Sequence, residues 1–360
     1  MPWYYRVQTA INAAVPFLVP TQKTNHLALL VSAILMKRTL WLSELARAYP
    51  TPEKRRVPAP KHDLLHRLKR LWRFTANERV DALEVQMALV SYTIARLGFP
   101  RLLGLAIDWT MFDTILPSGE RMRYQVLRVA VPRKGRALPP LLQLAYDRDD
   151  LSPNKSQNQL EQDALLAVVG ALPTGVRPVI LADRGFHRAS FIAWLKRHGL
   201  DYVVRIKKGT CITEKEDGGR WKLGEEGLKV GEPRFFLEGV RYYGLYHDRP
   251  RELFVNVALW WRVSKSRARD PRREQPEEPW HLATSFEDAK SAASWYCQRG
   301  WIEQSFKDAK GRFGLAGVRV GSPERLSRLL MALTIALSWL TLMGLPERAA
   351  SSCPKAFALG

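Results

Sequence analysis

Two short apolar runs that each end in an aspartate constrain this chain more than any other feature. Residues 103–108 read LGLAID and residues 178–183 read PVILAD. Such runs predict buried β-strands, with Asp108 and Asp183 at the carboxyl ends of two of them. A carboxylate there is partly buried, which costs several kcal/mol unless a cation or hydrogen bonds compensate. One such aspartate is commonly a cap or turn residue, but two at matching strand ends suggest a site for divalent metal.

The elements around these runs predict the fold class. Further strands are expected at residues 123–131, 141–146 and 201–206, and helices at residues 157–172 and 187–198. Three strands, a helix and then a strand–helix–strand unit predict a mixed α/β fold with a partly antiparallel sheet. Gly185 follows the second aspartate, where it permits a tight turn and close backbone approach.

The later part of the chain departs from this pattern. Residues 207–285 are expected to form a β-rich insertion, in which the charged, proline-containing stretch 262–279 is interpreted as an exposed loop. Helices are expected at residues 287–310 and 323–345. The last one contains 17 consecutive uncharged residues. Because a bilayer requires about 20, we interpret it as a buried helix rather than a membrane span.

Residues 1–98 are expected to be helical and basic, with 15 Lys and Arg against 6 Asp and Glu. The run 26–36, a short turn and residues 40–47 suit a helix-turn-helix DNA reader, and an ordinary helical hairpin is the alternative. Residues 64–73 predict an amphipathic helix whose cationic outer face could contact phosphate. A linker is indicated by Pro50, Pro52, Pro58 and Pro60.

The net charge of the chain favours a polyanionic partner. There are 56 Lys and Arg against 35 Asp and Glu, a net charge of +21, so nucleic acid is the first expectation and an anionic membrane surface the second. An apolar share of 46% excludes a mainly disordered chain. The three cysteines lie far apart and support neither a disulfide framework nor a zinc site. Without a secretory signal pattern, a cytoplasmic protein is expected.

A third carboxylate lies in the segment 296–310, which reads YCQRGWIEQSFKDAK. If the segment is one helix, a single face carries one carboxylate, two cations and a phenol. A surface helix with favourable ion-pair spacing is the alternative, but it does not explain the phenol on the same face. The four residues of this face are Tyr296, Arg299, Glu303 and Lys310.

The spacing Tyr-x2-Arg-x3-Glu-x6-Lys resembles the signature of bacterial insertion-sequence transposases of the DDE class, the Y-R-E-K group of insertion-sequence family four. The resemblance extends to both aspartates. IDWT at residues 107–110 is similar to the first-Asp motif, and LADRGF at residues 181–186 is similar to the second. WHLATS at residues 280–285 resembles the strand before the signature helix.

The resemblance implies an RNase H-like catalytic fold. Asp108, Asp183 and Glu303 would hold two Mg²⁺ ions, with Mn²⁺ able to substitute, because hard cations prefer carboxylate oxygens. In some relatives an aromatic residue directly follows the signature arginine, whereas here Gly300 does. The resemblance therefore does not imply that cleavage passes through a DNA hairpin. Contacts to DNA would come from Tyr296, Arg299, Lys310, Trp301 and Arg184.

The resemblance also implies an organisation and a biological role. The enzyme would bind terminal inverted repeats, hydrolyse the DNA ends and join the 3′-hydroxyl ends to target DNA, as a homodimer in the DNA complex and in association with the nucleoid. The expected regions are a helical DNA-binding region (1–98), the first part of the catalytic core (99–206), a β-rich insertion subdomain (207–285), the second part of the core with the signature helix (286–320), and a C-terminal helical region and tail (321–360).

Two other functions remain open at this point. One is a catalytically silent DNA-binding relative that uses only the N-terminal helices and its basic surface. The other is an RNase H-like nuclease that cleaves without strand transfer. The complete set of acidic residues disfavours the first, and the large insertion with its flanking helical regions disfavours the second.

Overall fold

A computed structural model describes residues 3–14, 21–48, 61–98, 100–133, 135–151, 156–213, 220–243, 252–261 and 278–344. The chain divides into two compact units. Unit 1 comprises Met1–Arg101, Asp108–Val176 and Trp301–Gly360, and unit 2 comprises Leu102–Ile107 and Arg177–Gly300. The predicted linker at residues 50–60, residues 262–277 of the predicted loop, and the C-terminal tail lie outside the described residues.

Unit 1 is mainly helical. Its elements are α1 (Trp3–Ala14), α2 (Thr21–Lys37), α3 (Leu42–Arg47), α4 (Lys61–Thr75), α5 (Ala82–Arg96), β2 (Arg121–Arg133), β3 (Arg136–Asp147), α6 (Gln157–Gly170), α9 (Trp301–Gly311) and α10 (Pro323–Met343), together with the second part of β1 (Leu102–Ile115). Strands β2 and β3 are antiparallel. The order of strands in this unit is β3-β2-β1.

The core of unit 1 is built around α10. The hydroxyl of Ser322 caps the helix by accepting from the backbone N–H of Arg325 at 3.3 Å, and Pro323 occupies the first turn, where its missing N–H has no cost. Residues 326–338 are all buried, and the helix packs against β3, α5 and α2. Although α10 is long and apolar enough to cross a membrane, its surface is used for internal packing, as the sequence interpretation expected.

The N-terminal helices α1 to α5 agree with the helical prediction for residues 1–98. The turn between α2 and α3 packs on the segment that follows α9. The backbone N–H of Leu40 donates to the carbonyl of Phe313 at 2.9 Å, and the indole N–H of Trp41 donates to the carbonyl of Gly314 at 3.0 Å. This helical pair is thus integrated into unit 1, and its role in DNA binding stays a prediction.

Unit 2 is mainly a sheet. Its elements are β4 (Arg177–Ala182), α7 (Ala189–Arg197), β5 (Asp201–Arg205), β6 (Cys211–Thr213), β7 (Arg220–Lys222), β8 (Pro233–Tyr243), β9 (Glu252–Trp260), β10 (Trp280–Thr284) and α8 (Ala289–Arg299), together with the first part of β1. The order of strands is β1-β4-β5-β10-β9-β8-β6-β7. Strands β1, β4 and β5 are parallel, and β10 pairs antiparallel to β5.

The β-rich character predicted for residues 207–285 is observed in β6 to β10. These strands continue the sheet of unit 2, since β9 pairs with β10 and β8 pairs with β9. That the stretch is an insertion relative to other proteins stays a prediction. The chain has a mixed α/β fold, and its parallel and antiparallel strands are consistent with an RNase H-like arrangement.

Two boundary predictions were wrong. Strand β1 does not end at Asp108 but continues to Ile115, because residues 110–115 alternate between buried and exposed positions as a half-buried strand does. The single helix predicted for residues 287–310 is two helices. Helix α8 ends at Arg299 with Gly300 as its C-cap, and α9 begins at Trp301. Glycine is among the least favourable residues inside a helix, which explains a break at this position.

Candidate active site and family assignment

Asp183 lies where the sequence predicted, directly after β4. It caps a short 3₁₀ helix, Arg184–Phe186, and its Oδ1 accepts a hydrogen bond from the backbone N–H of Gly185 at 2.7 Å. The strand β4, which is buried over residues 179–182, and this hydrogen bond together fix both the position and the direction of the carboxylate. One oxygen is therefore held by the backbone, and the other is available to a cation.

Gly185 has a packing role in this turn. A Cβ atom added at Gly185 would lie 2.9 Å from the Oδ1 atom of Asp183, closer than real side chains approach. The turn therefore brings the backbone close to the carboxylate, as the sequence suggested, and a larger residue here would have to push that carboxylate aside.

Gly185→Ala is expected to displace the carboxylate of Asp183 and to destabilise the fold by about 0.5–1.5 kcal/mol, because the displacement weakens the hydrogen bond from the backbone N–H of residue 185 to that carboxylate. Gly209→Ala is the matched control, because a Cβ atom at Gly209 meets nothing within 4 Å. Chemical denaturation of both variants checks the expectation. Equal stability of the two would mean that the turn relaxes without cost.

The second oxygen of Asp183 pairs with a cation from α8. A terminal guanidinium nitrogen of Arg299 lies 3.1 Å from Asp183 Oδ2, and the side chain of Arg299 is only 9% exposed. A cation buried to this extent needs a partner, because desolvation of an unpaired charge is costly. The predicted second aspartate and the predicted signature arginine are thus in direct contact.

Tyr296 lies one turn before Arg299 on α8 and is buried. Its ring packs edge-to-face against Trp280, with centroids 5.0 Å apart. Burial raises the pKa of the Tyr296 hydroxyl, so the group stays protonated and can donate a hydrogen bond at neutral pH. The motif strand β10, which carries Trp280, therefore positions the first residue of the predicted signature.

A group of cations near the carboxyl ends of β4 and β5 was missed by the sequence analysis, apart from Arg184. The carboxylate oxygens of Glu278 lie 3.5 Å from a terminal nitrogen of Arg184, 3.7 Å from a terminal nitrogen of Arg205 and 3.9 Å from Nζ of Lys208. One carboxylate facing three cations leaves a positive surface. The sequence signal was the basic stretch that directly follows the apolar part of β5.

Asp108 lies within β1 in unit 1 and is half-buried, with its Oδ1 accepting from the backbone N–H of Trp109 at 2.8 Å. The indole of Trp109 is fixed in turn. Its N–H donates to the buried carboxylate of Glu161 at 2.7 Å, and its ring lies against Tyr146. The indole ring of Trp109 is therefore engaged in internal packing.

Helix α9 carries the remaining predicted residues. Trp301 begins the helix and is half-buried, and Glu303 is exposed in the first turn, where the helix dipole favours a negative charge. Lys310 lies in the last turn and donates from Nζ to the carbonyl oxygen of Met111 on β1 at 2.8 Å. Partial burial lowers the pKa of Lys310. This contact joins the end of α9 to the strand that holds Asp108.

A comparison with protein families decides the class of this chain. The model described as transposase DDE domain matches residues 151–339, just over half of the chain. The chain belongs to the DDE transposase family. Its members are metal-dependent enzymes that bind and recombine DNA, so this protein is a DNA transposase. A search of curated proteins gives no significant match.

The predicted site residues of the transposase are divided between the two units. Asp183, Arg184, Tyr296 and Arg299 belong to unit 2, and Asp108, Trp301, Glu303 and Lys310 belong to unit 1. Among the residues that the structure describes, no three His, Cys, Asp or Glu side chains form a group placed to hold a metal ion. The match to the family covers Asp183 and Glu303 and begins after Asp108.

The chemistry of the individual groups nevertheless suits divalent metal. Carboxylate oxygens are the ligands that Mg²⁺ and Mn²⁺ prefer. Asp183 already faces a cation, the guanidinium of Arg299. Burial lowers the pKa of Arg128, and the negative charge of the nearby Asp108 opposes this shift. Both aspartates are thus in surroundings where positive charge compensates a partly buried carboxylate.

Proposed function

We propose that this transposase belongs to the Y-R-E-K group of insertion-sequence family four, binds the terminal inverted repeats of its element, hydrolyses the DNA ends and joins the 3′-hydroxyl ends to target DNA. The contact between Asp183 and Arg299 carries the proposal. It links the second-Asp motif to the predicted signature, although the two are far apart in sequence. Chance similarity of either motif gives no reason for such a contact.

We assign Asp108, Asp183 and Glu303 as the residues that hold two Mg²⁺ ions, which Mn²⁺ can replace. When bound, the metal activates the attacking oxygen and stabilises the leaving oxygen. The three side chains contribute the negative charge that such a pair of ions requires. Because Asp183 is paired with Arg299 in the free chain, metal binding requires this arginine to find another anion.

The phosphate of the transposon end is the anion that suits Arg299. Its planar guanidinium can contact a phosphate with two hydrogen bonds, whereas Lys310 acts as a point charge. Tyr296 contributes a protonated hydroxyl as a donor. Arg184 adds positive charge beside Asp183, and the ring of Trp301 is a candidate for stacking on a base.

Assembly follows from the reaction. Two ends must be cut and joined together, so we propose that the transposase acts as a homodimer on DNA, in the cytoplasm and associated with the nucleoid. The basic region 1–98 would bind the inverted repeat. Its excess of lysine and arginine suits phosphate contact, which positions a protein on DNA.

The test uses the purified chain, DNA that carries the two flanking regions of its gene, a target plasmid and MgCl₂ or MnCl₂. We expect cleavage at both ends and joined products, and neither with Glu303→Gln. Cleavage without joining would support the nuclease alternative. Binding without cleavage in either metal would support the silent relative.

A further inference from the structure

Arg128 on β2 is the largest fully buried side chain among the residues that the structure describes, with an exposure of 0%. It occupies the middle of the apolar run VLRVAV, where the sequence indicated only a strand. Burial of a guanidinium is strongly unfavourable unless its N–H groups are paired. A cation at such a position therefore indicates that its contacts are needed.

The contacts of Arg128 reach two different elements of unit 1. Its Nε and one terminal nitrogen donate to Oε1 of Gln143 on β3 at 3.0 and 2.6 Å. The other terminal nitrogen donates to the hydroxyl of Ser305 on α9 at 2.9 Å. The guanidinium also lies over the ring of Phe306, 4.2 Å from its centroid. One side chain thus connects the sheet to α9.

Gln143 is itself held in place by the core. Its side-chain amide donates to the hydroxyl of Thr334 on α10 at 2.8 Å. Its backbone N–H donates to the side chain of Gln86 on α5 at 2.9 Å, and the Thr334 hydroxyl donates to the same oxygen of Gln86 at 2.9 Å. Buried networks whose members are all paired are rigid. The guanidinium is therefore held by Gln143 on β3 as well as by Ser305 on α9.

The point at which Arg128 holds α9 lies within one turn of Glu303. The hydroxyl of Ser305 that accepts from Arg128 donates to the carbonyl of Ile302 at 3.0 Å. The first turn of α9 is thus tied to the guanidinium through a chain of two hydrogen bonds. Burial lowers the pKa of Arg128 to about 9, and the nearby Asp108 and Asp308 oppose this shift, so the side chain is charged at neutral pH.

We propose that Arg128 is a positioning residue of the transposase, which fixes the first turn of α9 and with it Glu303. This role rests on the proposed function of Asp108 and Glu303 as metal ligands. Arg128 itself does not touch DNA, since it is fully buried. It acts through the helix that it orients.

A second buried arginine in unit 1 provides a matched control. Arg328 on α10 is 7% exposed and donates to the backbone carbonyls of Val80 and Thr75, each at 2.9 Å. These two hydrogen bonds hold the end of α4 and the segment between α4 and α5 rather than α9. Arg328→Met therefore shows how far the loss of any buried arginine in unit 1 changes stability, hydrogen exchange and cleavage.

The experiment compares Arg128→Met, Arg128→Lys and Arg328→Met in the full chain. We expect Arg128→Met to raise hydrogen exchange in residues 301–311 and to lower DNA-end cleavage by about ten- to a hundredfold, the cost of a catalytic group displaced by about 1 Å. End binding in EDTA should fall much less than cleavage because, of the proposed DNA contacts, only Trp301 and Lys310 lie on α9. Arg128→Lys keeps the charge but cannot form all three hydrogen bonds. Its hydrogen exchange in residues 301–311 and its cleavage rate should therefore lie between those of Arg128→Met and those of the unaltered chain.

Arg328→Met should lower the melting temperature without changing exchange in α9 or cleavage. If Arg128→Met does not fold, Ser305→Ala removes only the α9 end of the contact and should give a smaller effect in the same direction. The proposal would be overturned if Arg128→Met left hydrogen exchange in α9 and cleavage unchanged. It would also be overturned if Arg328→Met, at comparable stability, lost as much cleavage as Arg128→Met. If Glu303→Gln cleaved normally, the proposed function would fail, and exchange in α9 would still decide whether Arg128 orients the helix.

Discussion

Asp183→Asn is expected to lower the rate of DNA-end cleavage by at least about a thousandfold, or about 4 kcal/mol of transition-state stabilisation. The amide oxygen of asparagine can still accept from the N–H of Gly185, so the turn is expected to persist. What disappears is the negative charge that attracts both Arg299 and a divalent metal ion. Cleavage of end-labelled DNA in Mg²⁺ and in Mn²⁺ measures the loss.

Asp201→Asn is the control for this substitution. Asp201 is also paired with an arginine of unit 2, since Arg177 lies 2.8 Å from it, but neither residue belongs to the predicted site. This variant should cleave normally.

Asp108→Asn and Glu303→Gln should behave like Asp183→Asn, with end binding retained. Cleavage at the normal rate by any of the three would remove that residue from the proposed metal ligands.

Arg299→Ala is expected to weaken binding to transposon ends by about ten- to a hundredfold, because a lost charge-assisted hydrogen bond costs about 1.5–3 kcal/mol. The slope of the logarithm of the binding constant against the logarithm of the salt concentration should fall by about 0.9, the value for one phosphate contact. Fluorescence anisotropy at several salt concentrations gives both quantities.

The control for Arg299→Ala is Arg177→Ala, which removes the exposed arginine of the pair with Asp201. Exposed pairs contribute little to stability, so this variant should bind the ends normally. An unchanged salt slope in Arg299→Ala would show that the arginine serves only to neutralise Asp183. In that case the loss of binding would have to come from a change in the fold of unit 2.

The sequence predicted the surroundings of Asp183 well because they are local. An apolar strand, an aspartate and a glycine specify a tight turn without help from distant residues, and the structure has this turn at the predicted position. The prediction for Asp108 failed at the strand boundary. The residues after Asp108 continue the alternation of β1, which a reading based on the apolar run alone did not include.

The parts that could not be predicted depend on contacts between distant residues. Nothing in the sequence around Arg299 indicates that its partner is Asp183. Likewise, Arg128 looked like an ordinary strand residue, although a lone charge within a six-residue apolar run was a usable signal of buried pairing. The break at Gly300 could have been predicted from helix propensity, but the spacing of the signature favoured a continuous helix.

The position of α10 after the other elements of unit 1 affects how the protein is made. Most elements of unit 1, from Val7 onward, pack directly or indirectly against this helix, which the ribosome synthesises after all of them. The earlier helices therefore cannot complete their packing until α10 has been synthesised, more than two hundred residues after α5. Contacts between residues so far apart in sequence form slowly. Nascent or prematurely terminated chains cannot complete this half of the molecule, so an incomplete product leaves apolar surface open to aggregation and degradation.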